Sequence, residues 1–293
     1  MVDIHHHILP GLDDGPADWA TSVEMARQAW ASGVAAVVAT PHLTPGQPGG
    51  ISHVVIGERL DELRGRLVAE GIELEVFAGA EVYPTPDLVR HLESGRIPTL
   101  GHGGRVRYLL VDTPFDLLPP HFDRLLFEVR LAAMTPVIAH PERSAALAAH
   151  PERLEELVSQ GALAQVTAGS LLGRFGSRAY QAGWTFVSRG LACAVASDAH
   201  GPTDRAPSDL GRAMQEVERR LGLPTARALF VTHPRRIATG QPLDAPEADG
   251  ENLPAQQAIE GLRARPGGRL GRLLANWGGR GWKAVMGRMT GPS

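Results

Sequence analysis

The sequence predicts an α/β fold: a parallel sheet closed, or nearly closed, into a barrel. Three observations predict it. Short apolar, β-branched runs alternate with longer segments of helical period. The runs are apolar almost throughout, as in sheets covered on both faces. The chain has 293 residues, enough for one barrel of ~250 residues and an extension.

In order, strands are expected at Val2–His5, Ala35–Thr40, Leu74–Ala78, Tyr108–Val111, Thr135–Ala139, Ala164–Val166 and Cys193–Ala196. Helical stretches lie between them. Asp18 to Ser32 places Trp19, Val23, Ala26 and Trp30 at helical spacing, and Gly33 marks the stop. His53 to Glu70 is a second helix. Pro120 to Met134 sets Phe122, Leu125, Leu126 and Val129 on one face. Pro151 to Gln160 ends at Gly161, and Ser208 to Leu221 ends at Gly222. The character changes near residue 240. Residues 241–254 are rich in Pro, Asp and Glu and read as a linker. From Gly261 onward there are seven basic residues and no acidic ones. The expected organisation is a barrel over 1–240 and, over 241–293, a linker and a basic, flexible tail. Its Arg, Trp and Leu content would allow weak contact with an anionic membrane surface.

Composition narrows the function classes. The net charge is −3 and charged residues make up 21%, so no basic domain points to nucleic acid. Cys193 is the only cysteine, which excludes an intrachain disulfide. The opening MVDIHHHILPG lacks the basic start and apolar core of a signal peptide. No apolar run reaches the ~18 residues of a membrane span. A cytoplasmic location is expected. Nothing in the sequence sets the oligomeric state.

The chemistry sits where the strands end. In Asp3-Ile4-His5-His6-His7 alternate strand residues share a face, so His5 and His7 point together and His6 points away. Asp13 and Asp14 follow in the next loop. His42 follows the second strand and Glu81 the third. Asp112 ends the fourth and His140 the fifth. Asp198 and His200 follow the seventh. Parallel barrels build active sites at these carboxyl ends. Imidazole and carboxylate donors suit zinc, manganese or iron. Arg143 follows His140, and Arg205 follows His200; guanidinium matches phosphate oxygens in a two-pronged fork. The residue six after Cys193 is Ala199, so the arginine of a cysteine-phosphatase loop is absent and Cys193 reads as core. His53, His91, His121, His150 and His233 read as surface or capping residues. For His102 both a site role and a loop role stay open.

The set DIHHHILPGLDDGP (3–16), VVATPH (37–42), AGAEVY (78–83), IPTL (97–100), TPVIAHPER (135–143) and VASDAH (195–200) resembles the polymerase-and-histidinol-phosphatase (PHP) superfamily. Within it, the set is most similar to the bacterial tyrosine-protein phosphatases of capsule and exopolysaccharide clusters. The resemblance implies a distorted (β/α)7 TIM-like barrel with three divalent metals, manganese foremost and zinc or iron as alternatives. It implies one metal on His5, His7, Glu81 and Asp198, a second on Glu81, Asp112 and His140, and a third on Asp14, His42 and His200. It assigns Arg143 and Arg205 to the substrate phosphate. His42 or His200 would protonate the leaving group. The expected activity is hydrolysis of phosphotyrosine on a partner protein, an autophosphorylating tyrosine kinase of polysaccharide synthesis or export. Histidinol-phosphate or nucleotide hydrolysis, or an inactive metal-binding regulator, are the alternatives. Two departures stand out: His6 replaces a small residue, and Asp112 stands where the family usually has glutamate.

Overall fold

The computed structural model describes residues 1–47 and 50–243. Its strands are β1 (Val2–His6), β2 (Ala36–Ala39), β3 (His42–Leu43), β4 (Glu75–Ala78), β5 (Glu81–Val82), β6 (Arg107–Val111), β7 (Met134–Ala139), β8 (Leu163–Thr167) and β9 (Ala194–Ala196). Every ladder pairing between them is parallel. One sheet runs β1-β2-β4 and the other β3-β5-β6-β7-β8-β9. The two are continuous along the chain. Only Thr40 and Pro41 separate β2 from β3, and only Gly79 and Ala80 separate β4 from β5. Seven of these strands match the seven expected; β3 and β5 are short continuations past the expected ends at Thr40 and Ala78, each resumed after a break. At the far edge, Asp198 N donates to His5 O at 2.9 Å and His7 N to Ala199 O at 3.0 Å. The first strand thus meets the chain leaving the last, as a barrel requires.

The breaks have local causes. Proline cannot donate to a ladder, and Pro41 instead accepts from Glu81 N through its carbonyl at 3.1 Å. A Cβ on Gly79 would lie 2.7 Å from Val38 Cγ1, so only glycine lets β4 pass this close to β2.

The helices form for the reasons their sequences give. Asp18 accepts from Thr21 N at 2.8 Å and caps the helix Trp19–Ala31. Ser52 does the same for Val55 N ahead of His53–Ala69. That second helix buries Ile56, Leu60, Leu63 and Leu67 on one stripe. The helix Phe122–Leu131 buries the four residues expected of it. One long helix, Gly176–Ser188, carries no clear signal in the sequence. Its buried face joins the small residues Ala179, Ala182 and Gly183 to Trp184, Phe186 and Val187, which enter the main core.

Two clusters make the core. The larger joins the helices to strand residues such as Val37, Val111, Ile138 and Val166. The smaller gathers Val2, Ile4, Val38, Leu110, Val137 and Ala194 with Leu100, Tyr108 and Ile237. The helix His233–Thr239 contributes Ile237 to the smaller cluster and ends at Gly240. Gly240 accepts from Val106 N at 2.9 Å, and Tyr108 Oη donates to the Gln241 carbonyl at 2.6 Å. Of the region 241–293, everything beyond residue 243 lies outside the described residues, as does the expected basic tail. No helix of the described residues is long and apolar enough to cross a membrane.

Candidate metal centre

The carboxyl ends of the strands bring the candidate side chains together. β1 and its exit supply His5 and His7; β3 opens with His42 and β5 with Glu81. Asp112, His140, Asp198 and His200 follow β6, β7 and β9. Asp14 reaches in from the loop after β1. The register of β1 against β2 shifts between Asp3 and His6, an irregularity that re-aims a side chain at this point.

Four donors converge. His5 Nε2 lies 3.1 Å from His7 Nε2, 3.2 Å from Glu81 Oε2 and 3.3 Å from Asp198 Oδ1. His7 Nε2 lies 3.4 and 3.5 Å from the same two oxygens. Tetrahedral ligands ~2.1 Å from one ion sit ~3.4 Å apart, close to each of these five separations; the sets that could share an ion are His5 with His7 and Asp198, and His5 with Glu81 and His140. All four side chains are fully buried. Glu81 Oε2 and Asp198 Oδ1 have no hydrogen-bond partner. A buried anionic oxygen left so is costly unless a cation takes it. The residues fit a divalent metal.

Around this set stand others. Glu81 Oε1 lies 2.7 Å from His140 Nε2, and Asp112 Oδ1 lies 3.6 Å from that nitrogen. Asp112, the shorter carboxylate, therefore does reach the cluster. Asp14 Oδ1 lies 3.1 Å from His200 Nε2 and 3.4 Å from His42 Nε2. His200 Nε2 also lacks a hydrogen-bond partner. His42 Nδ1 lies 2.9 Å from Glu81 Oε2. His42 thus groups with Glu81 and Asp112 as well as with His7, Asp14 and His200, whereas the resemblance assigns it only to Asp14 and His200.

The electrostatics are those of a site built for cations. Burial opposes ionisation of Glu81, yet His5, His140 and His42 hold its carboxyl well below the usual range. Burial likewise opposes Asp198, and His5, His7 and Arg205 hold it well below. Asp112 is pushed up by burial and by Glu81. Burial lowers His200, and the neighbouring His7 lowers it further, to about 2. It is a neutral imidazole, the form that ligates metal.

Two arginines complete the centre. Arg143 Nη1 lies 2.7 Å and Arg205 Nη2 2.5 Å from Asp198 Oδ2. Arg205 Nε also donates to the Asp198 carbonyl at 3.2 Å. The backbone here is strained. Among the described residues only four non-glycines have positive φ, and three are His140 at 35°, Asp198 at 53° and Arg205 at 51°. Each such residue costs ~1–2 kcal/mol, a cost that persists where function demands the geometry.

The sequence reading named Asp13 without a role and passed over Gln165, Phe115 and Phe175. Asp13 Oδ2 accepts from His7 Nδ1 at 2.7 Å and from the backbone N of His42 at 2.9 Å, orienting the His7 ring and fixing the His42 backbone. Burial works against its charge, but the bond to His7 holds its carboxyl at about 2. Gln165 Oε1 lies 2.9 Å from His5 Nδ1. A glutamine within an apolar strand was the signal available for it. Phe115 and Phe175 each lie under the Arg143 guanidinium; nothing in the sequence marks them. His6 is buried, with neither ring nitrogen hydrogen-bonded, and burial pushes it down to about 3. His102 is exposed in a turn outside the cluster. Cys193 is buried, and burial pushes its thiol up to about 12, so no thiolate nucleophile forms there.

The family described as "Capsular polysaccharide synthesis, CpsB/CapC" matches residues 1–239. The tyrosine-protein phosphatase YwqE of Bacillus subtilis (strain 168) is 37% identical over 209 residues, 70% of this chain and 79% of that one. The tyrosine-protein phosphatase CpsB of Streptococcus pneumoniae is 30% identical over 250 residues, 82% of this chain and 99% of that one. A crystal structure from work on YwqE and CpsB, described as unique metal-dependent tyrosine phosphatases, superposes with a TM-score of 0.76 at 34% identity, over 83% of this chain and 96% of the other.

Proposed function

The chain belongs to the CpsB/CapC family of capsular polysaccharide synthesis proteins, and we propose that it is a metal-dependent protein-tyrosine phosphatase, a phosphoric monoester hydrolase. The observation that carries the reading is that Glu81 Oε2 and Asp198 Oδ1 each lie 3.2–3.5 Å from both His5 Nε2 and His7 Nε2, with Arg143 and Arg205 on the outer oxygen of Asp198.

The metal ligands in this proposal are His5, His7, Asp14, His42, Glu81, Asp112, His140, Asp198 and His200, and manganese is the metal proposed. When bound, divalent cations supply Lewis-acid stabilisation of phosphoryl charge and acidify water at neutral pH. The protein's own groups do the rest. Arg143 and Arg205 present guanidinium N–H groups to the phosphoryl oxygens. Each guanidinium carries five donors, so the bonds to Asp198 leave others free. Charge that builds on the equatorial oxygens is met by groups already in place. Phenolate is a good leaving group and asks for little acid catalysis. Of the two candidate donors, His42 has the more exposed side chain, 44% against 7% for His200; either imidazole can donate a proton only when it is not ligating metal.

The proposed substrate is a phosphotyrosine segment of a partner tyrosine kinase of polysaccharide export. Phosphotyrosine is made at the expense of ATP, so its hydrolysis on that kinase belongs in the cytoplasm. The catalytic unit proposed is residues 1–240. The test is phosphate release from a phosphotyrosine peptide by metal-stripped protein with manganese restored. Manganese-dependent release, strong on phosphotyrosine and weak on phosphoserine, histidinol phosphate and nucleotides, is the expected result. Turnover confined to histidinol phosphate or a nucleotide would overturn the substrate and keep the chemistry.

A further inference from the structure

The phosphate-contacting role proposed for Arg143 requires that its guanidinium be aimed, and an arginine side chain left to itself populates many rotamers. Two observations bear on how it is held. Arg143 Cζ lies 4.3 Å from the ring centroid of Phe115 and 4.2 Å from that of Phe175. The side chain is only 12% exposed, and its Nη1 donates to Asp198 Oδ2 at 2.7 Å.

The two rings come from different parts of the fold. Phe115 follows β6, and its carbonyl accepts from Ala145 N at 2.7 Å. That bond ties the Phe115 loop to the segment that carries Arg143. Phe175 stands at the start of the helix Gly176–Ser188. It rests on Gly169, where a Cβ would lie 2.8 Å from Phe175 Cε2 and 3.3 Å from Cζ. Phe175 can take up this place because residue 169 has no side chain.

We propose that Phe115 and Phe175 are positioning residues that fix the plane of the Arg143 guanidinium, and that Gly169 is the seat that lets Phe175 do so. Guanidinium stacks on aromatic faces while its edge stays free to donate. The rings therefore restrain rotation without consuming the N–H groups that phosphate would take. The inference rests on the phosphatase reading for its consequence but not for its geometry.

The test separates the two. Phe175→Leu, Phe115→Leu, Phe175→Tyr and Gly169→Ala are made in the full chain and loaded with manganese. With an aryl phosphate as substrate, Phe175→Leu is expected to raise KM and the inhibition constant of inorganic phosphate about three- to tenfold, with a smaller effect on kcat. Phe175→Tyr, which keeps the ring, should stay near the parent, and Gly169→Ala should follow Phe175→Leu. In an Arg143→Lys background, Phe175→Leu should add little, because its effect runs through Arg143. A readout independent of turnover is the Arg143 Nε–H resonance of the protein loaded with diamagnetic zinc or magnesium in place of manganese, identified by its loss in Arg143→Lys. Its ring-current shift should shrink in both leucine variants. An unchanged shift in both would overturn the proposal whatever the activity. An undiminished effect of Phe175→Leu in the lysine background would overturn it too. Loss of the shift in a protein with no turnover of any phosphate ester would keep the positioning and discard the phosphatase.

Discussion

The two ends of the strands are built on opposite terms. At the amino ends the chain is closed largely by backbone hydrogen bonds and tight glycine packing. Met1 N donates to Gly33 O at 2.9 Å, Tyr108 Oη to Gln241 O at 2.6 Å, and Gly240 closes against Gly101 and Gly104. At the carboxyl ends carboxylates and imidazoles are buried together. Orphaned atoms remain on Glu81, Asp198, His140 and His200, and three residues hold positive φ. One end lowers the free energy of the fold; the other raises it in exchange for a site. Substitution at each end should therefore fail differently, and that difference can be measured.

The largest effect is expected at Asp198. Asp198→Asn keeps the shape but removes the charge that faces His5, His7, Arg143 and Arg205. A loss of about 10³-fold in kcat/KM is expected, with no comparable loss of folding in urea. Activity within tenfold of the parent would break the assignment of the carboxyl end as the site.

Next comes Asp13. It is not one of the proposed ligands, yet it orients the His7 and His42 segments. Asp13→Asn should weaken metal binding about 10- to 100-fold, the usual cost of a lost supporting partner, as read by calorimetric titration of manganese. Undisturbed affinity would reduce Asp13 to a loop-forming residue.

These two residues also mark how far the sequence could be read. Every strand-ending donor from His5 to His200 was legible, because one barrel rule places chemistry there and the residue types are unmistakable. The seven-strand plan was legible for the same reason: apolar runs are local. Asp13 was visible but ambiguous beside Asp14, since which of two adjacent carboxylates faces inward depends on a loop conformation. Phe115 and Phe175 were not legible at all. They are 60 residues apart and meet Arg143 only through the packing of β6, the helix Gly176–Ser188 and the turn between. That helix was itself missed although Ala179, Ala182, Gly183, Phe186 and Val187 recur at helical spacing; glycine and alanine at three of those positions weaken the apolar stripe in the sequence.

At the opposite end the comparison predicts lost stability with activity kept. Gly240 has φ of 67°, and a Cβ there would strike the Gly101 carbonyl oxygen and lie 2.8 Å from Gly104 Cα. Gly240→Ala should cost about 2–3 kcal/mol from the left-handed backbone and the close approach. For a domain of this size that is a fall of about 5–10 °C in Tm, with kcat of the folded fraction unchanged. A fall in kcat of tenfold at full occupancy of the fold would show that the two ends are coupled.

The smallest effect belongs to Cys193, next to β9, where a rival chemistry would need a nucleophile. Its backbone N donates to Ala164 O at 2.9 Å and its side chain is buried. Burial pushes the thiol up to about 12, so at pH 8 fewer than ~1 in 10³ molecules carry a thiolate. Cys193→Ala removes one sulfur from the core, a cost of about 1 kcal/mol, and takes nothing from the metal centre. The expected result is activity within about twofold of the parent and no reaction of the native protein with a thiol reagent until it is unfolded. Abolished turnover in a folded Cys193→Ala protein would move the chemistry from the carboxylate and imidazole cluster to the sulfur, and with it the argument that the strand ends divide the labour.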